Sequence, residues 1–146
     1  MDSESILSKV ATVLENDTTL KVYIKAVFVG DRERIYGDTY PCIVLDVPRD
    51  PLNLSLRGKV IENILTINIY PATLIADREK ALVGTETVKG ILDIIEDIKT
   101  ALYAYYPSLT QNCLNFSLSV NEVADFEDMK GKWAQIEMKV SYRETI

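Results

Sequence analysis

The sequence predicts an α+β domain in which an antiparallel sheet of four or five strands carries two helices packed on one face. Residues 4–15 and 85–105 place apolar side chains at steps of three and four, which predicts two amphipathic helices. Residues 114–120 and 133–143 instead alternate apolar with polar side chains, which predicts strands with one wet face. Since the apolar face of such a sheet must be covered, we expect the two helices to cover it, within one domain spanning residues 1–146.

The N-terminal part of the chain predicts a helix, a strand and then an irregular segment. Ser3 or Ser5 can cap the helix at residues 4–15. Residues 20–29 are rich in β-branched and aromatic side chains, which predicts a strand. Residues 30–40 contain two Gly-Asp pairs and follow neither period, so we expect a loop or an exposed arm there.

Two further strands are predicted at residues 41–47 and 59–70, as a hairpin with a long connection. Pro41 stands at the first position of its strand, where a missing ladder donor is tolerated. Asn63 is the misfit among the apolar residues of the second strand. The connection of about ten residues is longer than is usual for a hairpin, which invites a functional explanation. A linker at residues 72–84, with a helical turn at its end, leads to the long helix.

The long helix at residues 85–105 is the cover that we expect over the sheet. Thr85 can cap it and Pro107 stops it, while Gly90 indicates close packing against a neighbouring segment. Its apolar stripe consists of Val88, Ile91, Leu92, Ile95, Ile98 and Leu102, widened by Ile94, Ala101 and Tyr105. We expect Ile91, Ile95 and Ile98 to pack on Phe116, Leu118, Ile136 and Met138 of the last two strands.

Composition excludes several functional classes. The chain has 16 basic and 22 acidic residues, a net charge of −6, and no cluster of lysine or arginine, which argues against tight binding of nucleic acid. Met1 precedes acidic and polar residues, so we expect neither a signal peptide nor a membrane span. Cys42 and Cys113 are expected to be buried, reduced thiols and not a disulfide.

The residues that usually carry chemistry are scarce. There is no histidine, and the six glycines are isolated, so the phosphate loop, the nucleophile elbow and the dinucleotide fingerprint are all missing. Asp125, Glu127 and Asp128 crowd one turn, but their spacing does not match a calcium loop and favours a solvated turn. We therefore expect no catalytic residue, metal or cofactor. Two roles stay open for Tyr103, Tyr105 and Tyr106: they could stack on a base or anchor a partner, or they could close the core at the end of the helix.

The order of elements resembles a known family. It is an N-terminal helix, a strand opened by Tyr40 and Pro41, a hairpin ending in LTINIY at residues 65–70, the helix VKGILDIIEDIKTAL at residues 88–102, and a final strand pair. This order resembles the tail terminator, or tail completion, proteins of long-tailed bacteriophages, which include the minor tail protein of phage lambda type. The resemblance implies a structural subunit that assembles as a hexameric ring at the head-proximal end of the tail tube and ends its polymerisation.

The resemblance also implies partners and a location. The partners would be further copies of the chain, the tail-tube protein and the head connector or stopper protein, while DNA would pass through the ring without specific binding. The protein would assemble in the host cytoplasm and end in the neck region of the virion tail, without membrane contact. Two alternatives stay open besides an enzyme: another connector ring component, such as a stopper or head-completion protein, and a soluble cytosolic ligand-binding module.

The hairpin connection is the predicted contact surface. Its three leucines alternate with Asn53 and Ser55, so the segment can form a strand or a contact edge when a partner supplies the other side. We expect it to project and to touch a neighbouring subunit or the tail tube; alternatively, its leucines cover the subunit's own sheet. The candidate interface residues are Arg49, Asp50, Leu52, Leu54, Leu56 and Arg57, joined by Arg32, Arg34 and Tyr36 of the charged segment.

Overall fold

The computed structural model describes residues 2–37, 39–48, 52–57, 60–75, 77–85, 88–127 and 130–145. The α-helices are α1 (Asp2–Asn16), α2 (Leu20–Tyr23), α3 (Arg78–Val83) and α4 (Ile91–Tyr103), and a 3-10 helix spans Arg32–Tyr36. The strands are β1 (Ala26–Val29), β2 (Cys42–Asp46), β3 (Leu52–Arg57), β4 (Val60–Thr73), β5 (Cys113–Asp125) and β6 (Lys132–Thr145). The α+β class is confirmed.

The strands form one sheet in the order β1-β2-β4-β6-β5, and β3 also pairs with β4. All pairs are antiparallel except β1 and β2, which run parallel, so the expectation of a purely antiparallel sheet is wrong at that pair. Strand β4 has 14 residues and is longer than β2 and β3, which both pair with the same side of it. Asn68 of β4 lies opposite Asp46 of β2, whereas Leu65 lies opposite Leu52 of β3. Strands β2 and β3 therefore lie end to end along β4.

Helices α1 and α4 cover one face of the sheet, as predicted. The apolar side chains between the helices and the sheet form one buried cluster, to which β2, β4, β5 and β6 all contribute. Leu118 is only partly buried against it. The predicted contact layer is confirmed for the cluster members Ile91, Ile95, Ile98, Phe116, Ile136 and Met138.

Helix α4 begins later than predicted, because Gly90 is its N-cap. The backbone N–H of Gly90 donates to Asp93 Oδ2 at 3.3 Å, whereas Thr85 Oγ1 accepts from Val88 N in a separate turn. Val88 therefore precedes the helix and is 44% exposed, and Leu92 is 41% exposed because it is rotated by about 100° from Ile91. Including these two residues in the apolar stripe was wrong.

Gly90 is in close contact with the segment before it, as predicted. A Cβ atom at this position would lie 2.4 Å from the N atom of Gly84 and 2.7 Å from the O atom of Leu82. Replacing Gly90 by alanine should therefore cost about 1–3 kcal/mol of unfolding free energy, measured by urea denaturation. Gly37→Ala is the control, because a Cβ there meets only the O atom of Arg34, at 3.3 Å. Equal losses in the two variants would contradict the close packing at Gly90.

The N-terminal segments differ from the prediction in two ways. Helix α1 begins at Asp2, so Ser3 and Ser5 lie within it and do not cap it. The predicted strand at residues 20–29 is wrong over its first half, where α2 forms instead. Helix α2 forms there for a local reason. Asp17 Oδ2 accepts from the backbone N–H groups of Thr19 and Leu20, both at 3.1 Å, and these hydrogen bonds stabilise the start of a helical turn.

Candidate interaction surfaces

Strand β3 occupies most of the predicted projecting connection. Arg49 and Asp50 lie outside the described residues, whereas Leu52 to Arg57 pair with β4 in the register Leu52↔Leu65 to Arg57↔Val60. The expectation of an unpaired connection is therefore wrong for Leu52, Leu54, Leu56 and Arg57. The reason is that β2 pairs only with residues 68–72 of β4. The first half of β4, residues 60–65, therefore has backbone hydrogen-bonding groups on the same side, and the alternating segment pairs with them. Contact of these residues with a partner stays a prediction.

The sheet has two open edges in this region. Within the described ranges, β3 pairs only with β4, and β5, on the other side of the sheet, pairs only with β6. The outer side of each strand therefore presents a row of backbone N–H and C=O groups. Such a row is a template for pairing with another chain.

The charged segment is anchored to the sheet by Ile35 and does not form a separate arm, although the other residues between 31 and 37 are exposed. Asp31 Oδ1 accepts from Glu33 N at 3.0 Å and starts the 3-10 helix, and Tyr40 donates its hydroxyl proton to the carbonyl of Ile35. Ile35 is completely buried. It belongs to a second apolar cluster with Cys42, Val44, Tyr70, Ala72, Phe126 and Trp133, on the sheet face that the helices leave uncovered.

Two candidate interface arginines contact aromatic rings of their own chain. The Cζ atom of Arg32 lies 5.3 Å from the ring centroids of both Tyr70 and Trp133. The Cζ atom of Arg34 lies 4.9 Å from the ring of Phe28. All three contacts are within the range of a cation–π interaction. These contacts give the two arginines a structural role within the subunit.

Tyr36 completes this second cluster at its rim. Its ring meets the ring of Phe126 edge-on with 5.7 Å between centroids, and half of the residue remains exposed. The 3-10 helix lies over the half of β4 that pairs with β2, whereas β3 borders the other half. Arg32, Arg34 and Tyr36 therefore lie on the 3-10 helix over a different part of β4 from the part that pairs with β3.

A cluster of aromatic side chains lies at the end of α4 beside β5. The rings of Tyr103 and Tyr106 lie 5.5 and 5.4 Å from the ring of buried Phe116, and Lys9 Nζ lies 4.8 Å from the ring of Tyr105. The tyrosines nevertheless remain 41–54% exposed, and neighbouring Leu114 is 40% exposed. We call Tyr103, Tyr105, Tyr106 and Leu114 the tyrosine patch. Its inner side covers core while its outer side is open to a partner.

The two cysteines are buried, as expected, and both are free thiols. Burial raises the pKa of the Cys42 thiol to about 11, so the thiol is neutral and a poor nucleophile at neutral pH. Asp125 Oδ1 pairs with Lys132 Nζ at 2.6 Å, and Asp128 lies outside the described residues. Among the side chains that the structure describes, no group of three or more acidic, cysteine or histidine residues could hold a metal ion.

Comparisons with known proteins do not assign a family to the chain, so its functional interpretation depends on the sequence and the geometry. No helix in the described ranges has both the length and the apolar character needed to cross a bilayer. No protein-family model matches the chain, and no curated protein matches it significantly.

Proposed function

We propose that the chain is a structural subunit of tail-terminator type, which forms a ring on the head-proximal end of a phage tail tube, ends tube polymerisation and joins the tail to the head connector. The order of elements carries this proposal. Helix α1, strand β2 after Tyr40 and Pro41, strand β4 with the LTINIY sequence, helix α4 and the β5–β6 pair follow one another as the resemblance implies. Fold-level similarity is therefore the support for this function.

The surface of the subunit supports assembly. A cyclic ring of identical subunits needs two different contact surfaces on each subunit, because its interfaces are heterologous. The open edges of β3 and β5 lie on opposite sides of the sheet, and the tyrosine patch borders β5. Half-exposed tyrosines are common anchors of protein interfaces. A net charge of −6 is compatible with DNA that passes the ring without being gripped.

Tube termination is the direct test of this function. The purified chain is added to the polymerising tail-tube protein of the same phage, and the tubes are imaged by negative-stain electron microscopy. We expect growth to stop and each stopped tube to carry a ring at one end. Tubes that keep growing with bare ends would overturn the terminator role, whether or not the chain forms rings alone.

The tyrosine patch is expected to contribute to assembly. The double variant Tyr105→Ala and Tyr106→Ala should weaken ring assembly by about tenfold or more, because interface tyrosines are often hot spots. Its melting temperature should stay close to that of the parent, since both residues are about half exposed. Sedimentation velocity measures the assembly. Val22→Ala is the control, because Val22 is 83% exposed on α2. Unchanged assembly of the double variant would remove the patch from the interface.

A further inference from the structure

The open edges of β3 and β5 border the same block of four strands, in the order β3-β4-β6-β5. The register places the first residue of β3 at the level of Phe116 in β5. Val140 of β6 lies opposite both Leu65 of β4 and Phe116 of β5, and Leu65 in turn lies opposite Leu52 of β3. From that level β3 extends toward Thr145 of β6, whereas the regular run of β5 extends toward Ile136. The two edges are therefore offset along the strand direction, and full pairing between subunits requires a stagger.

Each edge contains a stretch that lacks the features that normally prevent strands from pairing, although β3 ends in Arg57 and β5 has two bulges. Residues 52–56 read LNLSL and residues 114–118 read LNFSL, and neither stretch contains a charged residue, a proline or a glycine. Natural edge strands are usually protected by such residues or by bulges. The bulges of β5 lie between Cys113 and Asn115 and between Val120 and Glu122, which leaves a regular run of six residues between them. That run matches the six residues of β3 in length.

The strand directions favour joining unlike edges. Each strand of the block runs antiparallel to the next, so β3 and β6 run one way while β4 and β5 run the other. A strand added beside β5 must run in the direction of β3 to continue this pattern. In a ring whose axis runs roughly along the strands, rotation from one subunit to the next keeps the direction of every strand along that axis unchanged. The β3 strand of the next subunit therefore has the required direction. A contact of this kind is heterologous and can close into a ring.

We propose that β5 of one subunit pairs antiparallel with β3 of the next, so that the sheets of neighbouring subunits are continuous around the ring. The inference rests on the ring proposed above, because it requires self-association, and it identifies the partner of both edges as a second copy of this chain. Main-chain hydrogen bonds form the joint, over about two residues without stagger and up to about six residues, or ~20 Å, when neighbouring subunits are staggered. Phe116 lies in β5 and contacts Tyr103 and Tyr106, so the tyrosine patch borders the same joint.

Disulfide trapping tests the joint. A cysteine replaces Asn53 in β3, and a second cysteine replaces Asn115, Ser117 or Ser119 in β5, in three separate double variants. The three β5 positions are exposed and sample the possible stagger between subunits. One of these variants should form disulfides between subunits on mild oxidation, since opposed Cα atoms in a sheet fall within about 4.4–6.8 Å. All variants are made with the native Cys42 and Cys113 replaced by alanine, so that each edge carries one cysteine. A closed ring should then give a ladder of covalent species up to the hexamer.

The controls separate this inference from the ring itself. Asn53→Cys with Ser141→Cys is the matched pair, because Ser141 lies on interior strand β6 and should give no ladder. Rings that assemble but give no ladder from any of the three pairs would overturn the edge joint and leave the ring intact. Dimers from Ser117→Cys alone would mean that two β5 edges meet, which also overturns it. A chain that stays monomeric would overturn both the ring and the joint.

Discussion

Replacing Ile95 by alanine is expected to lower the free energy of unfolding by about 2–5 kcal/mol. Ile95 is 4% exposed on α4 and belongs to the buried cluster that also contains Ile136 and Met138 of β6. The truncation removes apolar surface from the core and leaves a cavity between helix and sheet, which a close-packed interior fills only partly. Urea denaturation monitored by circular dichroism measures the loss.

Leu92→Ala is the matched control for this helix. Leu92 lies on α4 but is 41% exposed, so its truncation should change the unfolding free energy by less than about 1 kcal/mol. A loss below about 0.5 kcal/mol for Ile95→Ala would mean that α4 faces elsewhere.

Ile35→Ala is expected to have an effect of similar size, about 2–5 kcal/mol, although Ile35 directly follows the four charged residues 31–34. Ile35 is the completely buried residue of the 3-10 helix and belongs to one cluster with Val44, Tyr70 and Trp133. Its truncation should therefore loosen the cover of the second sheet face. Thermal and urea unfolding measure the change.

Glu33→Ala provides the comparison within the same 3-10 helix, because Glu33 is exposed. We expect it to change stability by less than about 0.5 kcal/mol. If Ile35→Ala were as mild as Glu33→Ala, residues 30–40 would behave as the loop or exposed arm that their sequence predicts.

The helix-covered core could be predicted because its residues repeat with a clear period. The spacing of Ile91, Ile95 and Ile98 indicates one helix face, and the alternation around Phe116 and Ile136 indicates one sheet face. Periodicity reports which residues share a face over several turns or strand positions. It therefore predicted this layer correctly even though the ends of α4 were placed several residues too far out.

The second cluster could not be predicted in this way. Ile35 is a single buried side chain among charged neighbours, and one residue has no period. The helical turn at Leu20 depends on two hydrogen bonds to Asp17 that override the local preference of its residues for a strand. Burial in the first case and capping in the second are set by contacts that periodicity does not detect.

The candidate surfaces were predicted in part. The alternation of Leu52, Leu54 and Leu56 did indicate that the segment can form a strand, but its partner is β4 of the same chain. The open edge of β5 was missed, because edge position follows from strand order and not from local sequence. The recurrence of LNLSL at residues 52–56 as LNFSL at residues 114–118 is the signal that could have drawn attention to it.

Molar mass in solution, measured by light scattering together with negative-stain images of the same sample, tests the ring most directly. We predict particles of about six times the 16.5 kDa of one chain, with a central hole. A ring that forms but does not end tail tubes would favour another connector component. Particles that remain single chains at every concentration would contradict the account and favour a ligand-binding module or an enzyme.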